Sequence, residues 1–207
     1  MVEFSEVLRR RHMVRSFEAG PLDDGLVRGL FEPALRAPSA SNTAGTAWVV
    51  LEGAERARYW ELATTEEWQT RSRRFEGLSR APVVALSLAS PAAYVERYSE
   101  PDKAPSGLGD TGSGGGGPEA WPVPYWFGDA AFATMGVLLA ATDAGLGAAF
   151  LGNFRHEHEL LAAFGVPPHW RLFGTVLLGR PDGGDHRSAS LDRERPAFDE
   201  VVRRQGW

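Results

Sequence analysis

Apolar residues recur along this chain at two spacings, which together predict a mixture of helices and strands. Helical spacing marks a short N-terminal segment with Phe4, Val7 and Leu8 on one face, and four later segments: residues 21–37, 55–63, 129–144 and 157–164. Short apolar runs predict four buried strands: residues 48–51, 83–88, 148–151 and 173–178. Because helices and strands do not strictly alternate, the pattern favours an α+β fold or a mixed three-layer arrangement.

Two of the predicted helices have identifiable ends. An Asp is available in Pro21-Leu22-Asp23-Asp24 to cap the second helix, and Pro33 should kink or shorten it. Gly145 provides a C-terminal stop for the helix over residues 129–144. That helix is apolar on almost every face and should be buried on all sides. It is therefore either the central helix of the core or part of a dimer interface.

The chain changes character between residues 99 and 124. Residues 106–118 are mostly Gly, Ser and Asp, including an unbroken glycine run from Gly114 to Gly117. Such a composition cannot bury enough apolar surface to stay ordered by itself. No Gly-Lys-Ser/Thr follows the glycines and no strand precedes them, which argues against a phosphate-binding loop. We expect a single domain over residues 1–207 with a flexible glycine-rich insertion at about residues 99–124, and long loops of this kind are often lids.

Composition narrows the classes of function. The chain has 207 residues, of which 43% are hydrophobic, and no cysteine, which excludes disulfides, thiolate nucleophiles and Cys-ligated metal centres. With 22 basic and 27 acidic residues there is no electrostatic reason to expect a nucleic-acid partner. The longest apolar run, Ala130 to Ala141, is shorter than the roughly 20 residues of a membrane span, and the charged N-terminus does not resemble a signal peptide. We expect a cytoplasmic protein with no membrane partner.

Cations are crowded into one stretch of this acidic protein, Arg9-Arg10-Arg11-His12-Met13-Val14-Arg15. Because like charges repel, the stretch is either fully solvated or neutralised by an anion. A solvated basic helix end interacts favourably with the helix dipole. Alternatively, the planar guanidinium groups suit a phosphate, which accepts two parallel hydrogen bonds from each arginine. The stretch by itself leaves both interpretations open.

Further motifs follow this stretch in a fixed order. They are Pro38-Ser39-Ala40-Ser41-Asn42, the run from Gly145 to Phe154, Leu178-Gly179-Arg180-Pro181 and Arg193-Glu194-Arg195-Pro196. With these motifs in this order, the chain resembles the FMN-dependent nitroreductase family along nearly its whole length. The resemblance implies an α+β, three-layer fold with a central mixed, mainly antiparallel sheet flanked by helices. It also implies an intertwined homodimer with the flavin at the subunit interface.

The resemblance implies three sets of FMN-binding residues and no certain catalytic side chain. The set for the phosphate comprises Arg11, His12, Met13, Arg15, Arg193 and Arg195. The set along the flavin ring and the ribityl chain comprises Pro38, Ser39, Ala40, Ser41 and Asn42. The set at flavin N5, the atom that exchanges hydride, comprises Leu151, Gly152 and Asn153. A backbone N–H of Asn153 there would favour the reduced flavin.

The sequence departs from the family pattern at two places. Met13 stands where the family usually has a Ser, so one hydroxyl donor to the phosphate is missing and an apolar contact replaces it. The family usually continues after the second motif with Gln-Pro-Trp, whereas this chain has Ala44-Gly45-Thr46-Ala47-Trp48. The side of the pocket that this tripeptide shapes is therefore different, which leaves the identity of the acceptor open.

Two other features bear on the site. The aromatic residues between Trp121 and Phe127 are either core or a wall that stacks on a planar ligand, with Tyr125 and Trp126 as the substrate-contacting candidates. His156-Glu157-His158 contains two potential metal ligands, but residues two apart on a helix point in roughly opposite directions. We therefore expect no metal site there.

The function implied by the resemblance is that of an FMN-dependent oxidoreductase. NAD(P)H would reduce the flavin at N5 and leave, and a small electron-poor acceptor (a nitroaromatic, a quinone or an enone) would then be reduced in the same pocket by a ping-pong mechanism. Two alternatives stay open. The same fold is used for dehydrogenation, dehalogenation, flavin destruction and deazaflavin chemistry, and a flavin can also be bound without turnover.

Overall fold

The computed structural model describes residues 3–110, 112, 116–186, 188 and 192–206. Its strands are β1 Thr46–Leu51, β2 Val83–Ala89, β3 Gly147–Leu151 and β4 Arg171–Gly179. Its α-helices are α1 Phe4–Arg10, α2 Asp24–Phe31, α3 Ala54–Ala63, α4 Glu66–Arg71, α5 Phe75–Ser79, α6 Pro91–Ser99, α7 Tyr125–Asp143, α8 Glu157–Ala163 and α9 Phe198–Val201. All four predicted strands are confirmed. Each observed strand contains the predicted residues and extends beyond them by at most two residues at either end.

The strands form one sheet in the order β1-β2-β4-β3, and every neighbouring pair is antiparallel. The register between β2 and β4 shifts between Ser87 and Leu88, so that Phe173 is an extra residue on β4. Such a bulge locally increases the twist of a strand. An isolated parallel bridge also joins Met13 to Ala148 on β3. The α+β class with a mainly antiparallel sheet is thereby confirmed.

Apolar side chains on both faces of the sheet produce three layers. On β2, Val84 and Leu86 belong to a core cluster with residues of α3, α5 and α8. Val83 and Ala85 point the other way, into a cluster with residues of α2 and α7. This alternation follows from the period of two in a strand, and a strand buried on both faces is apolar throughout. The sheet is thus flanked by helices on both faces, as expected.

The second helix has the predicted ends. The side chain of Asp23 accepts a hydrogen bond from the N–H of Leu26 at 3.1 Å, which caps α2. Pro33 lies in a 3-10 turn, Glu32–Arg36, that follows α2 directly. Because proline cannot donate the next helical hydrogen bond, the α-helix ends at Phe31.

Helix α7 differs from its prediction in its start and in its burial. It begins at Tyr125, four residues earlier than expected, and Gly145 follows its end with a φ of 71°. Ala133, Val137 and Ala141 are buried, but Phe132 and Met135 are exposed in the described chain. Within the described chain this helix is therefore not buried on all sides, and its expected role in a dimer interface stays a prediction.

The sequence pattern missed α4, α5, α6 and α9, which are short or weakly periodic. In the predicted insertion, Trp121 is buried and its Nε1–H donates to the carbonyl of Leu108 at 3.1 Å. Residues 111 and 113–115 of the glycine-rich stretch lie outside the described residues, and the flexibility of the insertion stays a prediction. Among the helices described, none combines the length and apolarity that crossing a bilayer requires.

Candidate active site

The basic segment after α1 is held in an extended conformation beside β3. The N–H of Val14 donates to the carbonyl of Ala148 at 2.9 Å, and the side chain of Val14 is buried. The N–H of Phe150 donates to Sδ of Met13 at 3.3 Å. Met13 therefore does more than provide the apolar contact expected of it, because its sulfur accepts a hydrogen bond from β3. Sulfur is a weak acceptor, so this contact adds modestly to the backbone pairing.

Arg15 lines a small basic cavity of about 170 Å³. Its lining residues are Arg15, Ser16, Arg73, Arg74, Glu76, Gly77, Arg80, Asp182, Gly184, Asp185 and His186. The backbone of α5 approaches very closely here, since a Cβ on Gly77 would lie 2.6 Å from the carbonyl oxygen of Arg15. Only glycine fits that position without displacing the Arg15 backbone.

The arginines of this cavity differ in whether they form ion pairs. Arg80 donates to Asp182 and to Ser16 Oγ, and its Nε is buried without a partner in the described chain. The N–H of Gly184, the Ser16 hydroxyl and the Arg80 guanidinium lower the pKa of Asp182. By contrast, the guanidinium groups of Arg73 and Arg74 form no ion pair with any described residue. These two groups are available to an anion, together with Arg15.

A second cavity, of about 570 Å³, opens where β3 ends. Five aromatic residues line it: Tyr59, Trp60, Trp68, Phe150 and Phe154. Its remaining lining comprises Ala63, Thr64, Thr65, Glu67, Arg71, Leu78, Leu151, Gly152, Asn153 and Arg155. The size and the mostly apolar walls are typical of a site for a planar cofactor or substrate. The segment of residues 71–78 contributes to the lining of both cavities, so the two cavities share one short segment.

Buried polar groups hold the loop after β3 in place. The hydroxyl of Thr175, which is fully buried, donates to Oδ1 of Asn153 at 2.8 Å. Burial raises the pKa of Tyr59, although its hydrogen bonds with Thr175 and Asn153 act in the other direction. Tyr59 therefore keeps its proton and serves as a neutral hydroxyl in the cavity wall.

The other end of this loop is held by Glu157 at the start of α8. Glu157 accepts from Arg171 at 2.8 Å and from the N–H of Leu172 at 2.9 Å. Partial burial by itself would raise the pKa of Glu157, but these hydrogen bonds outweigh burial and hold the pKa below the ordinary value of 4.5.

We expect the Glu157 contacts to make stability fall as the pH is lowered. Since the folded-state pKa is depressed, the stabilisation is fully present above the unfolded-state value and is lost as the pH falls through the folded-state pKa. The loss of stability should be about 1 kcal/mol or less, because the side chains of Glu157 and Arg171 remain 33% and 54% exposed. Urea unfolding at pH 6 and pH 3 should show a larger loss for the wild type than for Glu157→Gln. Equal losses would contradict the prediction.

The motif from Pro38 to Asn42 lines neither cavity. It forms a tight loop against α6 and α7, in which Ser41, Asn42 and Ala44 have φ values of 53°, 54° and 52°. The N–H of Ala40 donates to the buried carboxylate of Asp129 at 2.8 Å. Within one chain, the motif that the resemblance assigned to the flavin ring is thus separate from Leu151, Gly152 and Asn153.

Comparison with known proteins identifies the fold and the family. The family model described as the nitroreductase family matches residues 8–180. The chain belongs to the nitroreductase family. Among solved structures, a nitroreductase family protein from Streptococcus pneumoniae TIGR4 is 21% identical with a TM-score of 0.72, covering 98% of this chain and 100% of that one. A putative nitroreductase from Desulfovibrio desulfuricans, solved in complex with FMN, is 20% identical with a TM-score of 0.67, covering 100% and 99%. At these identities the solved structures establish the fold.

Several of the residues predicted for the nitroreductase site lie outside both cavities. Arg193 and Arg195 are exposed and line neither cavity, and Arg11 and His12 do not line them either. Tyr125 is 47% exposed in the first turn of α7, whereas Trp126 is only 7% exposed and packs against Tyr94 and Trp121. The single chain therefore gathers only Arg15, Leu151, Gly152 and Asn153 of the predicted set at its cavities.

Sequence reasoning missed other residues of the cavities. Arg73 and Arg74 follow Arg71 in a basic run that resembles the one at the N-terminus and is readable from the sequence. The aromatic residues of α3 and α4 carry no such signal, because Tyr59 and Trp68 look like ordinary helix residues. His156 has a φ of 54° and precedes α8, so, contrary to the prediction, it does not share that helix with His158.

Proposed function

We propose that the protein is an FMN-dependent oxidoreductase that transfers electrons from NAD(P)H to a small electron-poor acceptor of the nitroaromatic, quinone or enone type. The observation that carries the proposal is the pair of cavities that share the segment of residues 71–78. One is large and walled by aromatic residues, and the other is small and basic. Membership of the nitroreductase family and the relative from Desulfovibrio desulfuricans in complex with FMN support the same cofactor.

The donor set fits FMN. Its phosphate requires converging cations, and Arg15, Arg73 and Arg74 face one cavity without an ion pair among the described residues. The spacing Gly-x-Gly-x-x-Gly does occur at residues 107–112, but a 3-10 turn, Ala104–Ser106, and not a strand leads into it, so it lacks the strand–turn–helix setting that holds a dinucleotide pyrophosphate. The flavin ring would lie in the larger cavity beside Leu151, Gly152 and Asn153. When bound, FMN would supply the hydride and electron transfer.

The protein's own contribution would be binding, orientation and electrostatics. Aromatic side chains would exclude water from the ring and offer flat apolar surfaces to donor and acceptor in turn. The Asn153 backbone would be held in place by the hydrogen bond from Thr175 to its side chain. Tyr125 is the candidate for acceptor contact, since it is exposed where Trp126 is not. Protons can come from water, so no acid–base side chain is required.

We propose further that the site is completed by a second copy of this chain. The loop of residues 38–44 and the C-terminal arginine pair lie outside the cavities of their own chain, so in a homodimer they would reach the cavity of the partner. Exposed apolar side chains on α1 and α7, Phe4, Leu8, Phe132 and Met135, provide a surface for that contact. Because these side chains leave 45–66% of their surface exposed in the described part of the chain, they support the dimer.

The proposal is tested by the visible spectrum of the purified protein after reconstitution with FMN. We expect stoichiometric FMN, bleaching of the flavin spectrum on anaerobic titration with NADH or NADPH, and rapid recovery when a quinone or nitroaromatic is added. Colourless protein that does not bind FMN would refute the proposal. Bleaching without recovery would favour a flavin-binding protein without turnover, and recovery only with other acceptors would favour a specialised enzyme of the same fold.

Arg15→Gln should weaken FMN binding by about 1.5–3 kcal/mol, which is the usual contribution of a hydrogen bond to a charged group. Arg9→Gln is a matched control, because Arg9 is exposed and pairs with Glu6 on α1. The control should bind FMN as the wild type does, measured by quenching of flavin fluorescence. If both variants bind FMN equally well, the phosphate lies elsewhere.

A further inference from the structure

The loop after the 3-10 turn at Glu32–Arg36 has an unfavourable backbone conformation. Ser41, Asn42 and Ala44 all lie in the left-handed region, with φ values of 53°, 54° and 52°. None of them is glycine, and the left-handed conformation disfavours residues with a Cβ, least so for asparagine. Conformations of this kind persist only where surrounding contacts enforce them, and they concentrate at functional sites.

A buried carboxylate on α7 supplies one such contact. Asp129 is 5% exposed, and its Oδ2 accepts from the N–H of Ala40 at 2.8 Å and from the hydroxyl of Tyr94 at 2.6 Å. Tyr94 is itself fully buried. Burial, and next the hydrogen bond to Asp129, raise the pKa of Tyr94, so this hydroxyl remains a donor.

The loop also rests directly on α6. A Cβ on Gly45 would lie 2.5 Å from the ring of Tyr94, so the backbone contacts the ring. The carbonyl of Ser41 accepts from Nε of Arg97 at 3.2 Å, and the Ser41 hydroxyl donates to that of Tyr98 at 3.1 Å. Each half of the loop is thus held by hydrogen bonds. Asp129 accepts the hydrogen bond that holds the half containing Ala40.

Packing by itself does not explain a carboxylate at this position. Burying a charged group is unfavourable unless hydrogen bonds compensate, and Asp129 forms no ion pair with the described residues. An apolar side chain would avoid the cost of burying a charge, but it would leave the N–H of Ala40 and the hydroxyl of Tyr94 without their acceptor. What the carboxylate adds is a strong acceptor for a backbone N–H of the left-handed loop.

We propose that Asp129 and Tyr94 are positioning residues that hold residues 39–44 in the left-handed shape that FMN binding requires. Both residues are buried, so neither would contact the flavin itself. The inference rests on the proposed function, because the contact of this loop with FMN is part of that proposal. It adds two residues, on α6 and α7, that the family motifs in the sequence did not mark.

The test compares Tyr94→Phe and Asp129→Asn with the wild type. FMN affinity is measured by fluorescence quenching, thermal unfolding by calorimetry, and hydrogen exchange by mass spectrometry of the peptide that contains residues 39–45. We expect each variant to bind FMN about five- to tenfold more weakly, on the scale of the net contribution of one ordinary hydrogen bond, and that peptide to exchange faster. Tyr94→Phe keeps the buried ring, so it should fold.

Thr134→Val is the matched control. Thr134 is buried on the same helix, and its hydroxyl bonds with that of Ser87 at 3.0 Å, away from the loop. This variant should lower the unfolding temperature but leave FMN affinity and the exchange of residues 39–45 unchanged. If Asp129 and Tyr94 only stabilise the fold, Tyr94→Phe should behave as this control does, with a lower unfolding temperature but unchanged FMN affinity and unchanged exchange of residues 39–45.

A rescue variant tests the backbone argument. Ala44→Gly in the Asp129→Asn background should recover part of the lost FMN affinity, because glycine adopts the left-handed conformation readily. If both single variants bind FMN as the wild type does, or if they match the Thr134→Val control, the inference is overturned while the proposed function stands. If the wild type binds no FMN, the proposed function fails, and this inference fails with it.

Discussion

Replacing Trp126 by Ala should destabilise the fold strongly, by about 3–5 kcal/mol. Trp126 is 7% exposed, and its ring meets those of Tyr94 and Trp121 edge-on, at centroid distances of 6.1 Å and 5.9 Å. Removal of the indole leaves a cavity among these rings and abolishes their edge contacts. The sequence suggested Trp126 as a substrate contact, but its burial in the described chain makes a core role the better expectation.

Tyr125→Ala is the matched comparison on the adjacent residue. Tyr125 is half exposed, so we expect a loss of about 1 kcal/mol or less. Both variants should be unfolded in urea at one protein concentration, and KM for a bulky quinone should be measured alongside. We expect Tyr125→Ala to change KM and Trp126→Ala to change stability. The opposite result, unaltered stability with a raised KM for Trp126→Ala, would restore the sequence-based assignment.

The strands could be predicted from the sequence because their apolar runs are short, separate and bounded by polar residues. The run from Val83 to Leu88 is buried on both faces, and a continuous apolar run is typical of such a strand. The end of α2 was also predictable, because Pro33 has a local stereochemical effect that tertiary contacts rarely override.

Other parts of the fold depend on contacts that leave no periodic signal. Helices α4 and α5 are six and five residues long, too short for a helical repeat to emerge. The early start of α7 was missed because Tyr125, Trp126 and Phe127 are apolar on consecutive positions, which resembles an aromatic cluster as much as a helix. The exposure of Phe132 was missed for a different reason, since an all-apolar helix carries no mark of which face meets its own core.

Only those parts of the candidate site that a single local motif forms could be predicted from the sequence. The basic run that contains Arg15 and the end of β3 at Leu151 are local features, and both reach the cavities. By contrast, Arg74 reaches the basic cavity on a segment whose Gly77 approaches the Arg15 backbone very closely. Such an approach is a property of the fold, and the sequence gives no distance between these segments.

Replacing Phe132 by Asp should abolish the homodimer that we propose. Phe132 is 56% exposed on α7, and α1, which packs against α7, exposes Phe4 and Leu8. Interfaces of obligate dimers bury on the order of 2,000–5,000 Å² and are strongly apolar. A carboxylate placed within such an interface would have to be desolvated without a partner, which is highly unfavourable.

We expect wild-type protein to be a dimer by light scattering at micromolar concentration, Phe132→Asp to be a monomer, and Phe132→Leu to remain a dimer. Since the loop of residues 38–44 would reach the flavin only across the interface, Phe132→Asp should also lose FMN affinity by at least roughly tenfold, the scale of one hydrogen bond to a charged group. The unfolding temperature of the Phe132→Asp monomer shows whether the variant is folded. It therefore distinguishes a loss of FMN affinity at the interface from misfolding. A wild-type monomer that still holds FMN would contradict the shared site, because one chain would then contain every contact that the flavin needs.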